Sequence, residues 1–145
     1  MTYYITEEFN PKDNYTWTRL LNRFIGIGDA IEFNILYHDN NLKNILDKFK
    51  VDFLETGRRK NKIYSRGKYV RFKMSTEVKE FIFSKTYKSW KNFCLEDISI
   101  LKDGEELFAT ITHENCIYIT GTQNEIDEIN SIGFKFERPF ELKAN

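Results

Sequence analysis

LEDISILKDGEELFATITHE, residues 95–114, is the stretch whose reading decides the fold. Asp103-Gly104 is a favoured pair for a two-residue type I′ turn, because Gly accepts the positive φ such a turn demands. A two-residue loop sets Leu101 opposite Glu106, Ile100 opposite Leu107 and Ile98 opposite Ala109. Facing residues share a side of the sheet, so Ile98, Ile100, Leu107, Ala109 and Ile111 form a core face. Asp97, Ser99, Glu106, Thr110 and Thr112 occupy the other face, with Leu101 and Phe108 among them. A loop at Glu114, Asn115 and Cys116 returns Ile117 and Ile119 to the core and makes a three-stranded meander. In this register His113 points toward the core at the strand end, and Glu114 points away.

Helices and strands alternate around the meander. Trp17, Leu20, Leu21, Phe24 and Ile25 recur at helical spacing, and Gly26 and Gly28 stop that helix. AIEFNILY, residues 30–37, alternates as a strand. Asp39 or Asn40 caps a second helix with a stripe of Leu42, Ile45, Leu46 and Phe49. VDFLE and YVRFKM read as strands on either side of a basic loop or hairpin at 57–68. Ser75 caps a third helix carrying Val78, Phe81 and Ile82. Thr122 and Glu125 form a capping box for a fourth, which Gly133 ends before a closing strand, FKFE, and Pro139. The expected order is α-β-α-β-β-α-β-β-β-α-β. It predicts one α+β domain over residues 1–145, with about four short helices packed on a mainly antiparallel sheet.

The 145 residues contain 41% hydrophobic and 16% aromatic side chains, enough to fill one core. No apolar run reaches the ~18 residues that span a bilayer, and the amino terminus has no signal-like apolar stretch. Cys94 and Cys116 are too few for a disulfide framework and suit a reducing compartment, so a cytoplasmic location is expected. The net charge of zero conceals an uneven layout. Residues 43–91 hold 15 Lys/Arg against 5 Asp/Glu, whereas residues 96–128 hold 9 Asp/Glu against the single Lys102.

Three constellations bear on function. GRRKNKIYSRGK, residues 57–68, offers Arg58, Arg59, Lys60, Lys62, Arg66 and Lys68 interleaved with Tyr64, and Tyr69 and Phe72 follow. Such a surface suits RNA or single strands through phosphate contact and stacking. It suits an acidic protein partner equally well through electrostatic steering. The plainer alternative is a solvated hairpin with its tyrosines turned inward. His113-Glu114 lacks the second histidine of a metalloprotease motif, and position 117 is Ile. Extending the hairpin register brings Cys94 opposite His113 with Cys116 near by, a set that could bind zinc or act as a thiol–imidazole pair. Small buried cysteines account for the same residues. The glycines of IGIGD complete no phosphate loop, and no other catalytic set or cofactor motif is complete.

Within residues 95–114 the chain resembles an uncharacterised family of small bacterial α+β proteins. That family carries an E-D pair, a D-G turn and a strand ending in His-Glu. Glu96, Asp97, Asp103, Gly104, His113 and Glu114 hold these positions, and Leu95 stands where the family has proline. The resemblance implies a shared fold in which His113 and Glu114 matter, and it carries no activity. The expected function is therefore non-enzymatic protein binding, as in an immunity, antitoxin or anti-defence inhibitor, with no cofactor and no membrane. The alternative is a nucleic-acid binder using residues 58–72, and the third reading is a small zinc or thiol enzyme.

Overall fold

A computed structural model describes residues 2–6, 14–59 and 67–138. The elements in chain order are β1 (Thr2–Thr6), α1 (Asn14–Ile25), β2 (Ala30–Ile35), α2 (Asn40–Lys48), β3 (Phe53–Arg58) and β4 (Lys68–Lys73). They continue with α3 (Thr76–Phe83), β5 (Leu95–Lys102), β6 (Glu105–Ile111), β7 (Cys116–Gly121) and α4 (Gln123–Ser131). The strands form one sheet in the order β1-β7-β6-β5-β2-β4-β3, and neighbouring strands run antiparallel throughout. This is the expected α+β fold, with the meander β5–β6–β7 intact. Two ends differ from expectation. A strand at residues 2–6 adds to β7, and FKFE supplies only an isolated bridge residue, Glu137, in place of a closing strand. Pro139 lies outside the described residues.

The helices form where an apolar stripe coincides with a cap. Asp39, Ser75 and Thr122 each accept a hydrogen bond from a first-turn N–H, and the Thr122–Glu125 capping box is reciprocal. The stripe of α1 is buried throughout, each apolar side chain contributing on the order of 2 kcal/mol by leaving water. Trp17 and Phe24 of α1 pack on Phe108 of β6, while Phe49 and Phe81 reach Phe72 of β4 and Phe33 of β2. Ile31 pairs with both Phe72 and Ile100, and Ile100 pairs with Phe108, so all these contacts fall on one face of the sheet. The helices α1, α2 and α3 therefore cover that face, and Ile126 and Ile129 of α4 join the same core.

The β5–β6 register departs from a plain hairpin. Asp103 and Gly104 both have positive φ, as the turn requires, and Leu101 faces Glu106 as expected. A bulge follows, so Ile100 faces Phe108 and Ser99 faces Ala109. Two consecutive residues then oppose one. Leu107 and Phe108 both join the core as a result, and Phe108 does not share the polar face. A second irregularity falls at Asp97, whose φ is 50°. There the N–H groups of Asp97 and Ile98 donate to the hydroxyls of Thr112 and Thr110 at 3.3 and 3.0 Å, and Thr112 N–H donates to Asp97 Oδ1 at 2.8 Å. The two slips together move the chain end by two residues, so His113 meets Glu96 and not Cys94.

Candidate functional site: a buried charge cluster beneath the basic edge

The face of the sheet that bears none of the described helices, called here the helix-free face, carries buried polar side chains where a solvated face would be expected. Glu32 and Asn34 alternate with Ile31 and Phe33 on β2, and both are buried. A carboxylate there needs a compensating charge, since burying it alone would cost several kcal/mol. Arg71 of β4 donates to Glu32 Oε1 at 2.9 Å, and Arg59 Nε lies 3.0 Å from Glu32 Oε2. Arg59 also donates to the Asp97 carbonyl at 2.9 Å. Arg71 reaches on to Glu55 at 2.8 Å, and Tyr69 donates its hydroxyl to the same carboxylate at 2.9 Å. Burial pulls the Arg59 guanidinium below its ordinary range, while Glu32, Asp97 and Glu106 act to hold its charge.

The cluster continues along β5. Asn34 Nδ2 donates to Glu96 Oε1 at 3.4 Å, and Glu96 Oε2 lies 2.9 Å from His113 Nε2. The Glu96 side chain is only 4% exposed and that of His113 is 55% exposed. Burial and neighbouring Asp97 raise the Glu96 carboxyl, against the pull of His113 and Asn34. His113 sits in a 3-10 turn, Thr112–Glu114, and does not point into the core; Glu114 beside it is exposed. Of the motif carrying the family resemblance, Glu96 and His113 are in contact, Asp97 closes the strand end with Thr112, and Asp103-Gly104 makes the turn.

The basic stretch divides at its described ends. Arg58 and Lys68 are exposed and directly opposite each other on β3 and β4. Arg59 is buried in the cluster, and its N–H donates to the Gly67 carbonyl at 3.2 Å. A Cβ on Gly67 would lie 2.6 Å from Asn34 Oδ1, so a larger residue there would have to displace the Asn34 amide. Lys60, Lys62, Tyr64 and Arg66 lie outside the described residues. Of the stacking candidates beyond them, Phe72 is in the core, and Tyr69 is held by Glu55 with the Arg71 guanidinium 5.5 Å from its ring centre.

Cys94, His113 and Cys116 do not converge. Both thiols are buried and neither is in a disulfide, and no group of three His, Cys, Asp or Glu side chains among the described residues could hold a metal ion. Burial, followed by Asp39, pushes the Cys94 thiol up to about 11, so it stays protonated at neutral pH and is a poor nucleophile. Sequence reasoning missed Glu32, Arg71 and Glu55, although a glutamate inside the apolar strand AIEFNI was a visible signal that a cation must meet it. No helix among the described residues is long and apolar enough to cross a membrane. Comparison with known proteins finds no matching family model, no matching curated protein and no matching solved structure.

Proposed function

We propose that this chain is a non-enzymatic, cytoplasmic protein-binding protein that engages a charged protein partner, as an immunity, antitoxin or anti-defence inhibitor does. The observation that carries the reading is the placement of charge in space. The basic half of the sequence supplies β3 and β4 at one end of the sheet with α2 and α3, whereas the acidic half supplies β5, β6, β7 and α4. Four strand spacings separate β3 from β6, roughly 19 Å. That exceeds the ~8 Å screening length at physiological salt, so the two ends act as separate electrostatic surfaces. The buried Arg59 fixes the base of the basic stretch to the sheet, which lowers the ordering cost of binding through it.

The alternative, RNA or single-strand binding, draws on Arg58 and Lys68, while the commitment of Tyr69 and Phe72 to the fold speaks for a protein partner. Affinity capture of the tagged chain from its own cells, with and without nuclease, separates the two. The proposal expects a nuclease-insensitive protein at near-equal stoichiometry, lost when Arg58 and Lys68 are both replaced by Ala. Nucleic acid that disappears with nuclease, with no protein retained, overturns it in favour of the alternative.

A further inference from the structure

The outer edge of β3 carries an inference that deepens, and rests on, the protein-binding reading. Among the described residues β3 pairs with β4 on one side and with no strand on the other. The Arg59 N–H to Gly67 carbonyl bond fixes the phase of this ladder. Bonded and non-bonded pairs alternate between antiparallel strands. Glu55, Gly57 and Arg59 therefore turn their backbone groups toward β4, and Thr56 and Arg58 turn theirs to the open edge. The described side chains of β3 do not seal that edge. Glu55 is drawn back to Arg71 and Tyr69, the Thr56 hydroxyl donates to the Tyr69 carbonyl at 2.6 Å, and Gly57 has no side chain. The bulge between Phe53 and Glu55 blunts the start of the strand and leaves 55–58 regular.

The charge and apolar character of the edge specify an occupant. Arg58 and Lys68 form a directly opposed, exposed like-charge pair, which is unfavourable in isolation, and neither has a carboxylate partner among the described residues. At the opposite end of β3 Phe53 and Leu54, with Val51 just before the strand, are 44%, 51% and 89% exposed. We propose that β3 receives an extended acidic segment of the partner protein as an added strand. Its backbone pairs with Thr56 and Arg58, a carboxylate settles between Arg58 and Lys68, and an apolar side chain covers Phe53 and Leu54. Strand addition of this kind takes its affinity from main-chain bonds and its specificity from alternate side chains. A second copy joined β3 to β3 would set two basic ends together. A nucleic acid would leave the edge N–H and C=O groups without a matching ladder.

The test uses the 15N-labelled chain and two capped synthetic peptides, one alternating Glu and Val and the other alternating Lys and Val. The expected result is that the Glu peptide shifts the Thr56 and Arg58 amides and slows their hydrogen exchange by about tenfold, with no such effect from the Lys peptide. Thr56→Pro should abolish the response, because it removes an outward N–H and no backbone bond within the sheet, whereas Thr56→Val, which loses only the hydroxyl bond to the Tyr69 carbonyl, should keep it. If that variant proves unstable, Arg58→Glu with Lys68→Glu should reverse the preference toward the Lys peptide. No change at these amides, equal responses to both peptides, or changes confined to other strands would overturn the proposal. A protein partner captured equally by wild type and by folded Thr56→Pro would reject edge docking while leaving the protein-binding reading standing. Absence of any protein partner would reject that reading itself.

Discussion

Arg58 and Arg59 are neighbours in sequence with opposite duties, and alternation along β3 explains why. Arg59 shares the helix-free face with Glu32 and is buried beside it, whereas Arg58 shares the opposite side with Lys68 and reaches water. Arg59→Ala leaves Glu32 buried with Arg71 as its remaining described cation and should cost roughly 3 kcal/mol, read from urea unfolding. Lys at the same position should not restore the loss, since an ammonium cannot reach Glu32 and the Asp97 carbonyl in the same fork geometry. Arg58→Ala should change stability by less than about 0.5 kcal/mol. Equal losses at the two positions would contradict this division. Glu96 gives a second test at this scale. Its carboxyl is raised above the ordinary 4.5 in the folded state. Between those two values the folded chain binds more protons than the unfolded one, so this group's contribution to stability falls as pH rises. The difference in unfolding free energy between wild type and Glu96→Gln should therefore decline as pH rises from 4.5 through the folded value, with His113, Asp97 and Asn34 as the groups facing it. A difference that stays constant over that window would show that Glu96 titrates normally.

At the scale of elements, the last helix has the most complete local specification. Thr122 and Glu125 exchange hydrogen bonds at 3.3 and 2.9 Å with each other's backbone N–H. Thr122→Ala should cost about 1 kcal/mol and raise hydrogen exchange first in the opening turn of α4. Loss of stability with no local change in α4 would place the effect elsewhere. Elements with this kind of local signal were legible in the sequence: α1 from its stripe, α2, α3 and α4 from stripe and cap together, and the meander from Asp103-Gly104. β1 was not, because TYYIT is short and its partner Cys116–Gly121 lies at the far end of the chain. FKFE misled for the converse reason. Its alternation is real, and Phe134 and Phe136 do enter the core, but the Asn130 side chain takes the place of a neighbouring strand. It accepts from Phe136 N–H at 2.8 Å and donates to Phe136 carbonyl at 3.0 Å. The site was legible only in part. Alternation cannot register the bulge at Leu107 or the left-handed backbone at Asp97, and the two together decide that His113 meets Glu96. Nor does spacing along the chain reveal that Arg59 and Glu32 share one buried pocket of charge.

At the scale of the whole molecule, zero net charge and strong polarity coexist because the sheet order follows the charge order of the chain. Arg58, Lys68 and Lys73 are exposed at the β3–β4 end, while Asp103, Glu105, Asp127 and Glu128 are exposed in the acidic half. Had the strands been ordered so that β4 lay beside β6, the same composition would have produced an intermixed and nearly neutral surface. The arrangement makes a sharp prediction for ion exchange near the sequence pI of 6.7. At low ionic strength the chain should be retained on both cation and anion exchangers, each matrix holding one end. Retention on both should fade as added salt brings the screening length well below the separation of the ends. Replacing Arg58 and Lys68 with Ala should move elution from the cation exchanger to lower salt. The same change should leave anion-exchanger retention equal or stronger, because the acidic end is untouched and the net charge has become negative. Passage of the wild-type chain through both columns would show that the two ends cancel at the surface. The basis for a charged partner would then be gone, whatever the buried cluster does for the fold.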